Sequence, residues 1–151
     1  MRLEAAAILL ALVGGACSTT DAVGDYLDEV AEITLTMRNE SLTAVSDEQS
    51  VTRAGIAAVI EARRRASAAL RTLVPPADIA PEHSALVRVL TELTTAGEAF
   101  LAATADLDAA EFERAVLAAI DLDEIVARVG VACDAVERRA LDLDATVDLA
   151  C

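Results

Sequence analysis

From Asp21 onward, apolar residues recur at steps of three and four almost without interruption. That spacing stacks them on one face of an α-helix. The first stripe is Val23, Tyr26, Leu27, Val30, Ile33 and Met37, and it predicts a helix running to about Leu42 or Val45. Ser18-Thr19-Thr20-Asp21 offers a capping box ahead of it. Ser46-Asp47-Glu48-Gln49-Ser50 reads as a short polar connection. A second helix follows from about Val51, with Ile56, Val59, Ile60, Ala66, Leu70 and Leu73 on its inner face. Pro75-Pro76 stops it, because neither ring can continue the hydrogen-bond ladder.

A third helix is expected to begin near Pro81, a residue favoured in the first turn, with the stripe Leu86, Leu90, Leu93, Phe100 and Leu101. Asp106-Leu107-Asp108 interrupts, and Asp108 with Glu111 makes the next capping box. The fourth predicted helix is the longest, carrying Phe112, Val116, Ala119, Leu122, Val126, Val129, Cys133, Val136 and Ala140. Gly130 inside it costs ~1 kcal/mol relative to Ala and allows a local bend. Asp144 to Cys151 alternates polar and apolar residues and reads as extended, with Val147 and Leu149 facing inward. Each helix has one apolar stripe and can bury it only against its neighbours, and the connections are short. The expected fold is therefore all-α, an up-down-up-down four-helix bundle over residues 21–151 with an extended C-terminal tail.

Charge and composition narrow the function classes. The 151 residues carry a net charge of −14. Such a surface is repelled by phosphate backbones and anionic headgroups, so no nucleic-acid partner is expected. All twelve basic residues are Arg, and alanine is abundant, a bias that reflects a GC-rich genome and carries no functional message. Trp is absent and aromatics make up 2%, which excludes stacking platforms and aromatic cages, while an apolar content of 55% argues against disorder.

The amino terminus has a different character. Arg2 gives a weakly positive start, and Ala5 to Val13 forms an apolar run far short of the ~20 residues needed to cross a bilayer. Leu9-Leu10-Ala11-Leu12-Val13-Gly14-Gly15-Ala16-Cys17 ends in small residues and a cysteine. It resembles the lipobox signal of bacterial lipoproteins. The resemblance covers only the first 17 residues and departs from the family at Gly14, where Leu is usual, and at Glu4. It implies a signal peptide over 1–16, a diacylglyceryl or palmitate-type anchor on the Cys17 thiol, a tether over 17–20, and attachment to the extracytoplasmic face of the cell membrane. An ordinary secretory signal cut near Ala16, leaving Cys17 as a free thiol on a secreted protein, is the alternative. Loss of residues 1–16 removes one Arg and one Glu, so the charge stays at −14.

Given that resemblance, the cysteine count of three is explained. If Cys17 carries lipid, Cys133 and Cys151 remain as a pair, and an oxidising compartment makes a bridge between them the simple outcome. Two free thiols in a cytosolic protein would require the signal to be misread. The nine helical residues after Cys133 climb ~14 Å, and the nine that return can span up to ~30 Å, so the bridge is reachable. Cys133 lies on the apolar stripe, so the tail is expected to fold over the end of the core. The bridge reads as structural, since redox pairs are more often closely spaced.

Candidate chemistry is sparse. His83 is the only histidine, and it is expected to be partly exposed in the first turn of the third helix. The Glu-x-x-His pairs of di-iron bundles do not occur. The clusters Asp106/Asp108/Glu111/Glu113 and Asp142/Asp144/Asp148 are the candidate calcium ligands. The second begins with EF-hand spacing but lacks the turn glycine and the bidentate glutamate, so both read as helix caps and solvated faces. Asp121, Asp123 and Glu124 read the same way. Arg63-Arg64-Arg65 spreads around a helix and is expected to pair with nearby carboxylates, the alternative being a dock for an anionic partner. Asn39-Glu40-Ser41 matches a glycosylation sequon but falls on a predicted helix. Nucleophile elbows, phosphate loops and dinucleotide fingerprints are missing. The expectation is no catalytic residue, no metal and no cofactor.

Leu73-Val74-Pro75-Pro76, His83, Leu86, Cys133 and Leu149-Ala150-Cys151 together resemble small helical lipoproteins and secreted proteins of high-GC bacteria. That group implies an envelope location and a helical fold, with no assigned activity. The functional expectation is a non-enzymatic, lipid-anchored interaction or structural module that meets an envelope protein partner. The alternative is an extracytoplasmic carrier or sensor that binds an apolar small molecule between its helices. The alanine-rich interior counts against a carrier, because small side chains let helices approach closely.

Overall fold

The computed structural model describes residues 19–45 and 51–151. The signal-like run ending at Cys17, the Ser18–Asp21 capping box and the 46–50 connection lie outside the fully described residues, as do the side chains of Asp121, Leu122 and Asp123. Among the described residues there are five helices and no strand: α1 (Thr19–Val45), α2 (Arg53–Thr72), α3 (Ala80–Ala103), α4 (Ala109–Leu117) and α5 (Ile120–Asp142). The chain is all-helical, as the periodicity requires.

Local chemistry explains most helix ends. Thr52 caps α2 by accepting a hydrogen bond from the Gly55 amide at 3.0 Å. Leu73 ends α2 in an extended conformation two residues before Pro75. Pro81 sits in the first turn of α3. The Asp108/Glu111 capping box is complete in both directions, with bonds of 2.9 and 3.2 Å. At the end of α5, Asp144 adopts a left-handed conformation (φ 56°) while the Ala145 amide donates back to the Ala140 carbonyl at 2.9 Å. This is a Schellman stop built on Asp where Gly is usual.

Pairwise packing follows from close contacts. Arg65 meets Glu40 and Gly55 approaches Ala44, so α1 and α2 run antiparallel. Ser67 bonds Thr91 at 3.0 Å and Gly97 lies against Ile60, setting α2 antiparallel to α3. Arg128 pairs with Glu92 at 2.9 Å and Arg139 donates to the Asp78 carbonyl at 2.7 Å, setting α5 antiparallel to α3.

The principal core joins Val23, Leu27 and Val30 of α1, Leu70 of α2, Leu86 and Leu90 of α3, and Val136 and Ala140 of α5. The sulfurs of Cys133 and Cys151 lie at bonding distance, with Cα atoms 6.5 Å apart. Leu149 is buried in the core, Val147 packs against it, and the Leu149 amide donates to Glu137 at 2.8 Å. The tail is tied back as expected.

The expected long fourth helix is corrected. It is two helices, α4 and α5, broken at Ala118-Ala119, and it continues without interruption through Gly130. The reason is register. Phe112 packs on Phe100 with ring centroids 5.8 Å apart, and Arg128 pairs with Glu92. The first members are separated along the chain by roughly twice as many residues as the second. A straight helix would cover roughly 24 Å from Phe112 to Arg128, whereas Phe100 and Glu92 are roughly 12 Å apart along α3. The chain has to double back, and it does so where α4 ends. Val126, expected on the inner stripe, is exposed.

Candidate functional site

A cleft of about 470 Å³ lies between the C-terminal part of α1, the N-terminal half of α2 and the C-terminal end of α3. Met37, Leu42, Val45, Ile56, Val59, Ile60 and Phe100 supply an apolar wall, Val116 of α4 closes one side, and Ala150-Cys151 of the tail borders it. Its volume falls within the ~300–1,000 Å³ typical of small-molecule sites. Leu42 and Val45 remain 55% and 49% exposed, so part of the wall faces solvent. The expectation that alanine-rich interfaces leave little room does not hold at this end. Gly97 is central to its geometry: a Cβ there would stand 2.8 Å from Ile60 Cγ1, so α2 and α3 touch at the floor of the cleft.

The polar groups of the lining are Arg38, Ser41 and Arg63, and no Asp or Glu side chain is among the lining residues. This resolves the Arg63-Arg64-Arg65 run into two kinds of residue. Arg64 and Arg65 both pair with Glu61, and Arg65 also reaches Glu40 at 2.8 Å. The Arg64 hydrogen bond, with help from both guanidinium charges, holds the exposed Glu61 carboxyl below its ordinary value. Arg63 is half-buried, and burial pulls its guanidinium below its ordinary value. Among the described residues it makes no ion pair. The expected pairing with carboxylates therefore holds for Arg64 and Arg65 and fails for Arg63, which the 100° helical step turns onto the cleft.

His83 corrects the expectation of partial exposure. It is 7% exposed, and its Nδ1 lies 2.7 Å from the Tyr26 hydroxyl, with the rings edge to face at 5.8 Å. It occupies the fourth residue of α3, already one turn inside the helix and facing α1. With the hydroxyl as donor, Nδ1 is the acceptor and the proton sits on Nε2. Burial lowers the imidazole below its ordinary value and raises the Tyr26 phenol well above its own. The pair is neutral and joins the starts of α1 and α3. It lies in the packed core, away from the cleft.

The acidic clusters act in helix termination. Asp108 and Glu111 form the capping box, and Asp144 turns the chain after α5. Among the described residues no group of three or more His, Cys, Asp or Glu side chains is placed to hold a metal ion. Arg53 fastens the other end: its guanidinium lies 4.3 Å from the centroid of Phe112 and donates to the Thr104 and Leu107 carbonyls. It fixes the turn between α3 and α4, and with it the wall that Val116 provides.

The cleft and the Tyr26–His83 contact were not anticipated from the sequence. The one available signal for the cleft was that Arg63 sits one residue off the Glu61 ion-pair face. Cys17 lies outside the described residues. No described helix is long and apolar enough to cross a membrane. No protein-family model, curated protein or solved structure matches this chain.

Proposed function

We propose that this protein is an extracytoplasmic carrier or sensor that takes an apolar small molecule into the cleft between α1, α2 and α3 and has no catalytic chemistry of its own. The observation that carries the reading is a cleft of about 470 Å³ walled mainly by apolar side chains, Met37, Val45, Ile56, Val59 and Phe100 among them. In this reading the helices form an up-down-up-down bundle in which α4 and α5 share the fourth position. A lipid on Cys17 holds the domain at the outer face of the membrane. The start of α1 then faces the bilayer, and Leu42 stands about 23 residues further along, roughly 35 Å away. The cleft would open away from the membrane, a position suited to exchange with a second protein rather than direct extraction from lipid.

The test is native mass spectrometry and thermal shift on the full-length protein, beside Ile56→Trp, which fills the cleft. Retention of an apolar ligand by the parent and its loss in the variant is the expected result. Equal behaviour of the two proteins would sink the reading.

A second reading, an envelope interaction module without a small ligand, draws on the exposed Leu35, Leu42 and Val45 along α1. It predicts a specific neighbour in cross-linking on intact cells that Leu35→Glu with Leu42→Glu abolishes. The intact mass of the native protein beside Cys17→Ala tests the anchor: a lipid-sized excess should vanish in the variant.

A further inference from the structure

We propose that the ligand of the cleft is a single-chain amphiphilic anion, a medium- or long-chain carboxylate, whose head is received by Arg63 and Arg38 and whose chain lies along Val45, Ile56, Val59 and Phe100. The inference rests on the carrier reading and adds the chemical class of the cargo.

Charge is the argument. The chain holds 26 acidic and 12 basic residues; among the described residues Arg38, Arg63, Arg71, Arg114 and Arg138 make no ion pair, and of these five only Arg63 is not exposed. Arg64, Arg65, Arg88, Arg128 and Arg139 each meet a carboxylate. Arg53 is taken up by two carbonyls and the Phe112 ring. Arg63 is half-buried beside an apolar wall and has no such partner among the described residues. Glu61, two residues before it, is engaged by Arg64 and Arg65, and Glu40 on α1 by Arg65.

Arg38 lines the same cleft. The antiparallel register set by Arg65 with Glu40 and by Gly55 with Ala44 brings positions 38 and 63 opposite one another across α1 and α2. Two cations therefore share one end of the cleft, while Val45, Ile56 and Val116 mark the other. A guanidinium fork matches a carboxylate in two parallel hydrogen bonds, and such bonds strengthen where water is thinned. A neutral apolar ligand would leave Arg63 desolvated and unanswered. A cationic one would be repelled. The volume, in the lower half of the usual range for ligand sites, suits one chain and not two.

The experiment titrates the full-length, disulfide-intact protein with decanoate, decanol and decyltrimethylammonium by calorimetry. Decanoate should bind about tenfold or more tighter than decanol, as a charge-assisted hydrogen bond implies, and the cation more weakly than either. Within a carboxylate series affinity should rise roughly fourfold per added methylene until the cleft is full. Arg63→Met should bring decanoate down to the affinity of decanol and leave decanol unchanged, with Arg38→Gln giving a smaller loss of the same kind. Arg63→Lys should keep part of the preference, which also shows that the position tolerates change. Decanoate and decanol binding equally would overturn the anion assignment and leave the carrier reading standing. Failure of all three probes would overturn both. A decanoate preference untouched by either arginine variant would place the anion elsewhere and overturn the assignment of the head.

Discussion

Around Leu70, Leu86 and Val136 no side chain reaches solvent, whereas the opposite end of α1 and α2 encloses a cleft with partly exposed walls. The two regions are built from the same kinds of residue on the same helices. What separates them is the helix that packs against α3. At the packed end α5 runs along α3 from Glu92 back to Asp78, and the tail adds Leu149. Beyond Glu92 its place is taken by α4, a helix of nine residues whose one buried side chain is Phe112. A helix that short does not fill the space over Ile56 and Phe100, and the cleft remains there.

The comparison can be broken by truncating one residue in each region. Leu86→Ala removes a fully buried side chain and should cost ~2–5 kcal/mol, while Leu42→Ala at the cleft should stay within about 0.5 kcal/mol. Urea denaturation of both variants gives the contrast directly, and similar losses would mean that the cleft closes in solution.

The disulfide serves both regions, since Cys133 belongs to the core and Cys151 borders the cleft. Its sequence separation is 18 residues, so replacing both cysteines by Ala should lower stability by ~3 kcal/mol. The denaturation midpoint with and without reductant measures the same quantity on the parent protein.

A finer contrast lies in two helical glycines. A Cβ at Gly55 would stand 2.8 Å from the backbone oxygen of Ala44, which cannot move without shifting α1. Gly55→Ala should cost ~1–3 kcal/mol even though Ala favours the helix by ~1 kcal/mol. At Gly97 the obstacle is the Ile60 side chain, which has free volume beside it. Gly97→Ala should be closer to neutral in stability and should reduce the cleft, which ligand titration reads separately.

The smallest expected effect belongs to pH. Burial lowers the His83 imidazole, so the unfolded chain takes up a proton near pH ~6.5 before the folded chain does. Its contribution is complete above that pH and is lost as pH falls through the lower folded value. Melting temperature should therefore decline as pH falls below about 6.5. His83→Gln, which still accepts from Tyr26, should flatten that slope. The Glu61 ion pairs persist through this range and are lost only at lower pH, where carboxyls take up protons.

Much of the helix map was legible because local rules settle it. Thr52 and Asp108 are short polar residues three positions before an amide they can cap, and Pro75-Pro76 forbids continuation. The buried stripe of α1 is the one that period alone assigns. The sites were less legible. Only its two-residue offset from Glu61 sets Arg63 apart locally from Arg64, and nothing near His83 announces Tyr26, 57 residues earlier.

The sequence by itself determined the helical class, the Asp108/Glu111 capping box and most of the inner stripes, because each depends on residues within a few turns. The tertiary structure alone decided the break at Ala118-Ala119, the Tyr26–His83 contact and the cleft. Two alanines carry no stop signal and favour continuing a helix. The chain turns there because contacts at Phe112 and Arg128 must both be made on one face of α3, a requirement that only long-range packing imposes.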